Sequence, residues 1–245
     1  MSWHVELVAA SSRRPMFRLG VVWQTIPNQM KQLALGLPQR GGKRKGAGRK
    51  LAAPRPRVSH KPRPRFNKAT PVLVTLRVAF GVWNLRSRRC FQIVEDCLGD
   101  ARDRFGLRVI EFSVLGNHLH LVVEADSDLA LSRGMQGLNV RIARALNRRM
   151  QRRGGVFDDH YHSRLLGSPT ELVSAIAYVL GNHAHHFGGV PSARDPFCSS
   201  AYDLARRQAV LSRPRTWLLC QGWRRARRIP PWIEQGRPRE HCHTM

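Results

Sequence analysis

Two histidines flank a single leucine in GNHLHLVVE (residues 116–124), and few other places in the chain set chemically versatile side chains so close together. If this stretch is a β-strand, alternation puts His118 and His120 on one face, about 7 Å apart along the backbone and within reach of a common metal ion. Leu119, Leu121 and Val123 then point to the opposite face, toward a core. Ordinary half-exposed strands carry such pairs too, so the motif gains meaning only from a partner. That partner lies in SPTELVSAIAYVLGN (residues 168–182), which opens with a capping box and a proline at the first helical position. Tyr178 and Asn182, four residues apart, share one face of this helix, while Leu172, Ile176, Val179 and Leu180 supply apolar contacts around the rest. A phenol can act as a nucleophile and a side-chain amide oxygen as a metal donor, and here both point the same way. A tyrosine at the boundary of a core would have the same spacing.

The elements that must position these residues follow from periodicity. Val72, Val74, Leu76 and Val78 alternate as in a first strand. Ser87 is a helix N-cap, with Val94, Cys97, Leu98, Ala101 and Phe105 on the apolar stripe and Gly106 as the stop. Residues 107–114 and 119–124 are two strands joined by a tight turn at Gly116 and Asn117. A long helix over residues 128–152 buries Leu131, Met135, Leu138, Ile142, Leu146 and Met150 and leaves Arg133, Arg141, Arg144 and Arg148 elsewhere on its surface. A fourth strand falls within residues 161–166, and the tyrosine-bearing helix runs to about Asn182. This order predicts an α+β fold, a ferredoxin-like βαββαβ antiparallel sheet with an added C-terminal helix that carries the tyrosine. Beyond Gly188 the signals weaken, although residues 202–211 suit a helix and TWLLCQGW (residues 216–223) a short apolar clasp.

Composition names the partner. The 245 residues include 42 Lys plus Arg against 16 Asp plus Glu, a formal charge of +26, and the isoelectric point is about 11.7. Such a field attracts polyanions, and its cations displace counterions from phosphates, so nucleic acid leads. A membrane is not expected as partner, because there is neither a long apolar run nor a basic amphipathic helix with an aromatic face. Residues 1–66 hold GGKRKGAGRK and PRPRVSHKPRPRF and read as a disordered basic arm. Arg49 and its neighbouring glycines could follow a minor groove or a phosphate backbone, or belong to a solvated tail. The expected division is thus arm (1–66), catalytic domain (67–188) and basic C-terminal tail with partial helix (189–245). Met30 resembles a natural start, which would make residues 1–29 an upstream extension. Cys90, Cys97, Cys198, Cys220 and Cys242 show no paired spacing and read as reduced thiols. The apolar stretch at residues 5–10 is too short for a signal peptide and contains Glu6, so a cytoplasmic location, with the DNA, is expected.

Residues 71 to about 187 resemble the catalytic domain of the single-tyrosine HUH transposases, in particular the REP-associated tyrosine transposases. The resemblance rests on Asn117-His118-Leu119-His120-Leu121, on Tyr178 with Asn182 four residues on, and on the stretches 132–149 and 156–166 between them. In place of the proline-containing turn that follows the asparagine in that branch, this chain has His183, His185 and His186, which are alternative third ligands. The resemblance implies a divalent ion, Mg²⁺ or Mn²⁺, held by His118, His120 and Asn182, with Tyr178 as nucleophile. It further implies cleavage and rejoining of single-stranded or hairpin DNA in the bacterial cytosol or nucleoid through a 5′-phosphotyrosine, and it admits a homodimer. Arg133, Arg141, Arg144, Arg148 and Arg49 would hold the strand, with Trp217 or Trp223 stacking on bases or anchoring a core. The alternative is a non-catalytic or domesticated nucleic-acid-binding protein on the same fold.

Overall fold

The computed structural model describes residues 63–190 and 194–236. The arm up to residue 62, with Arg49 and Met30, lies outside them. Four strands, β1 (Thr70–Arg77), β2 (Leu107–Val114), β3 (His118–Ala125) and β4 (His162–Leu165), form one antiparallel sheet in the order β2-β3-β1-β4. With helix α1 (Arg88–Asp100) after β1 and α2 (Asp128–Arg149) after β3, the observed connectivity is the ferredoxin-like one. Helix α3 (Pro169–Phe187) is the added element.

The sheet separates two cores. On one face, Val72, Val74 and Leu76 of β1 and Leu119, Leu121 and Val123 of β3 pack against Val94 and Leu98 of α1 and Met135, Leu138, Ile142 and Leu146 of α2. Gly134 lets α2 come close, since a Cβ there would stand 2.4 Å from that of Leu107. On the other face Val122 and Ile110 meet Leu172, Val173, Ile176 and Val179 of α3. Leu107 and Val109 share their face with Phe112 and Val114, an odd-to-even slip that alternation forbids. A bulge between Val109 and Glu111 absorbs it and turns Ile110 toward α3.

Several boundaries differ from expectation. Helix α1 stops at Asp100, and Phe105, placed on its stripe by periodicity, is exposed with a left-handed backbone (φ 59°). Helix α2 ends at Arg149 and α3 runs on to Phe187. The stretch beyond residue 188, read as a tail, is built into both cores. Helix α4 (Leu204–Val210) packs on α1, and Tyr202, Val210 and Leu211 join the first core. Residues 197–199 run along β2, where Val114 N–H donates to Phe197 O and Phe112 N–H to Ser199 Oγ. That covers the β2 edge of the sheet. Leu219 of α5 (Trp217–Cys220), Trp223 and Ile233 of α6 (Pro231–Gly236) enter the second core beneath α3. Trp223 is therefore a core anchor, while Trp217 is half exposed. Cys90, Cys97 and Cys198 are free and buried. Cys220 is disulfide-bonded, which corrects the reading of five reduced thiols.

Ion pairs on buried carboxylates tie the elements together. Arg108 bonds Glu124 at 2.6 Å and also Asp126, and Glu124 accepts from the backbone N–H groups of Arg215 and Thr216. Glu95 accepts from Tyr202 at 2.5 Å and from Arg206. Arg207 reaches Glu111, which also accepts from Ser199 Oγ.

Candidate active site

Strand β3 places His118 and His120 on the sheet face that α3 covers, because Val122 of the same alternation sits in the α3 core. The imidazole planes are parallel within 5°, with centroids 6.0 Å apart. Each has its Nδ1 engaged: His118 donates to Asn117 Oδ1 at 2.7 Å, and the Thr75 hydroxyl on β1 lies 3.1 Å from that of His120. A ring whose Nδ1–H is donated keeps its lone pair on Nε2, the nitrogen a metal or a proton would use. Burial, then Arg77 and His186, push His118 below its ordinary value, and burial, then His118 and His186, push His120 down to about 4. Both rings are accordingly neutral at pH 7, as ligands must be.

Helix α3 supplies the rest. Ser168 caps it by accepting from Glu171 N–H at 3.2 Å, Pro169 opens it, and Glu171 accepts in turn from Gly167 N–H at 3.0 Å. This fixed start sets the helical phase, which brings the Tyr178 ring edge-on to His120 with centroids 5.2 Å apart. Tyr178 is 45% exposed, so its hydroxyl can meet a macromolecular substrate. Asn182, one turn or about 6 Å further along, is 1% exposed, and neither Oδ1 nor Nδ2 has a hydrogen-bond partner. A buried amide without partners costs stability unless something else coordinates it.

This donor set fits a divalent cation: two neutral imidazoles and an amide oxygen that nothing else uses. Among the described residues no group of three His, Cys, Asp or Glu side chains is gathered as a metal site, and of the neighbouring histidines His186 is close enough to lower the pKa of both His118 and His120. Sequence reasoning passed over Thr75, whose part depends on the β1–β3 register. Of the arginines named from sequence, Arg133, Arg144 and Arg148 are exposed on α2 and Arg141 is half-buried there, on the layer across the sheet from Tyr178. A groove between α1 and α4, lined by Glu95, Asp96, Asp100 and Arg206, is acidic and belongs to that far layer too. No helix among the described residues is long and apolar enough to cross a membrane.

Comparison with known proteins places these features in context. Residues 84–181 match the family model "Transposase IS200 like", a span that includes His118, His120 and Tyr178 and stops one residue before Asn182. No curated protein matches the chain. Among solved structures, a REP-associated tyrosine transposase bound to a REP hairpin is similar, with a TM-score of 0.51 and 14% identity over 61% of this chain and 87% of that one. A protein from Deinococcus radiodurans held to be a transposase matches at a TM-score of 0.36 and 15% identity, over 46% of this chain and 91% of its own.

Proposed function

We propose that this chain, which through residues 84–181 belongs to the IS200-like transposase family, cleaves and rejoins single-stranded DNA with Tyr178 as the nucleophile. The observation that carries the reading is the edge-on contact of Tyr178 with His120, together with an Asn182 amide one turn along α3 that is buried without partners. His118, His120 and Asn182 would hold Mg²⁺ or Mn²⁺, and such an ion, when bound, polarises a phosphate and stabilises the charge of in-line displacement.

The chain's own groups do the remaining work. Helix α3 holds the phenol at the edge of the site, and its exposure admits a backbone phosphate. Attack of Tyr178 Oη on phosphorus forms the phosphotyrosine bond and breaks the P–O3′ bond. The phenolic proton leaves and the departing oxygen takes one up as a 3′-hydroxyl. The 5′-phosphotyrosine conserves the bond, so a 3′-hydroxyl can attack it and reseal the strand. A free phenol titrates near 10, so the site must lower the cost of losing that proton.

A duplex keeps its bases stacked and its backbone on a fixed helical path, so the fitting substrate is single-stranded or hairpin DNA, as in the hairpin-bound structural neighbour. The location that suits such a substrate is the cytoplasm, with the DNA. The test is incubation with labelled hairpin DNA from the flanks of the protein's own gene, with and without Mn²⁺. A denaturation-resistant protein–DNA adduct is expected, lost in Tyr178→Phe and in His118→Ala. Tight binding without any adduct would instead identify a binding protein on this fold.

A further inference from the structure

Helix α3 covers only half of its sheet face. It packs mainly on β2 and β3; on the same face of β1, Leu73 reaches the α3 core, while Arg77 of β1 and His162 and Arg164 of β4 stay exposed. Register fixes what that open half displays. Arg77 of β1 stands directly opposite His118, and Thr75 opposite His120. On β4, His162 is opposite Thr75 and Arg164 opposite Leu73, so both point to the site face. His162 thus lies two strands, or about 10 Å, from His120 in the same transverse row. All three polar side chains, Arg77, His162 and Arg164, are exposed.

The two guanidiniums are weakly held. Arg77 is 60% exposed and 3.8 Å from Asp158, and Arg164 is 66% exposed and 3.4 Å from Glu171. Exposed pairs of this length exchange readily for a phosphate. Arg63 lies 3.9 Å over the ring of Tyr161, the residue before His162, and donates to its carbonyl. By contrast the four arginines of α2 sit on the far layer, where a strand lying across them does not lead to Tyr178.

We infer that the β1–β4 half-face is the shelf on which single-stranded DNA lies as it reaches Tyr178, with Arg77 and Arg164 each neutralising a backbone phosphate and His162 between them. This rests on the function proposed above and adds the route of the substrate. It assigns strand contact to residues of the sheet and withdraws it from those of α2.

The test measures binding of a fluorescent single-stranded oligonucleotide at a series of salt concentrations, with the full chain carrying Tyr178→Phe so that cleavage does not intervene. Each phosphate contact to a single strand contributes about 0.7 to the slope of log K against log salt, so Arg77→Gln with Arg164→Gln should reduce that slope by about 1.4. Arg77→Lys with Arg164→Lys should keep it, and Arg144→Gln with Arg148→Gln should leave it unchanged. A glutamine pair with an unchanged slope, or an α2 pair that loses as much, overturns the shelf. Adduct formation by the otherwise wild-type protein is scored in parallel. An adduct with an unchanged glutamine-pair slope refutes the shelf and leaves the chemistry standing. A reduced slope with no adduct supports the shelf as a nucleic-acid surface and refutes the chemistry.

Discussion

Asn182→Leu should make the metal-free protein more stable while destroying its response to metal. The amide is 1% exposed, with both polar atoms unpaired, so folding strips it of water without replacement. Such a group costs about 1–3 kcal/mol, and leucine, near in shape, removes the cost and adds apolar contact with the α3 core. Taking about 2 kcal/mol and about 2–4 °C per kcal/mol for a domain of this size, Tm rises by roughly 4–8 °C in EDTA. In the wild type, Mn²⁺ at a hundred times its Kd should add about 2.7 kcal/mol, or roughly 5–11 °C, through the binding to the folded state proposed above. The variant, left with two imidazoles, should show little of this gain. Thermal melts of both proteins, with EDTA and with a Mn²⁺ titration, therefore cross: the variant leads without metal and the wild type with it. The reasoning is refuted if leucine lowers the metal-free Tm, or if Mn²⁺ raises both proteins equally.

Three further outcomes follow from the ion pairs and the C-terminal anchors. Arg108→Met strands Glu124, which is fully buried, and should cost about 3–5 kcal/mol in urea unfolding; Glu124→Gln should cost less, because its oxygen can still accept from Arg215 and Thr216 N–H. Burial raises the Glu95 pKa, but hydrogen bonds from Arg206 and Tyr202 outweigh it and hold the carboxyl below its ordinary value of 4.5. A depressed carboxylate contributes stability that is fully present above the unfolded pKa and is lost as pH falls through the folded one. Glu95→Gln should thus lower stability by about 1.5 kcal/mol at pH 7, the low end for charged hydrogen bonds since Arg206 is half exposed, and the gap should close on acidification below pH 4.5 in a series of melts. Trp223→Ala should cost about 3–5 kcal/mol and Trp217→Ala about 1 or less, measured by chemical denaturation, because only the first ring is buried.

What could be read from sequence was whatever a single element encodes. Alternation in β3 and the four-residue step in α3 determine which side chains share a face, so the His118–His120 and Tyr178–Asn182 pairs were legible before any fold was known. Cross-strand partners were not, since Thr75 and His162 meet the row of His120 only through registers fixed by tertiary pairing. Likewise the charge pattern of α2 identified exposed arginines without saying on which side of the sheet they would lie. The slip at Ile110 and the early end of α1 escaped because periodicity extends smoothly across both. Beyond residue 188 each short helix contributes one or two anchors, such as Val210, Leu219 and Ile233, and so few residues generate no period.

The location of those anchors sets an order in time. The tyrosine helix is complete in sequence at Phe187, yet the first core awaits Leu211, and the second, on which that helix packs, awaits Ile233. At about 5–20 residues per second, roughly 2–10 s of synthesis separate Phe187 from Ile233. A nascent or prematurely terminated chain would carry His118, His120 and Tyr178 without the packing that aligns them. The DNA cleavage proposed above would thereby be withheld until translation has passed well beyond the last residue of the site.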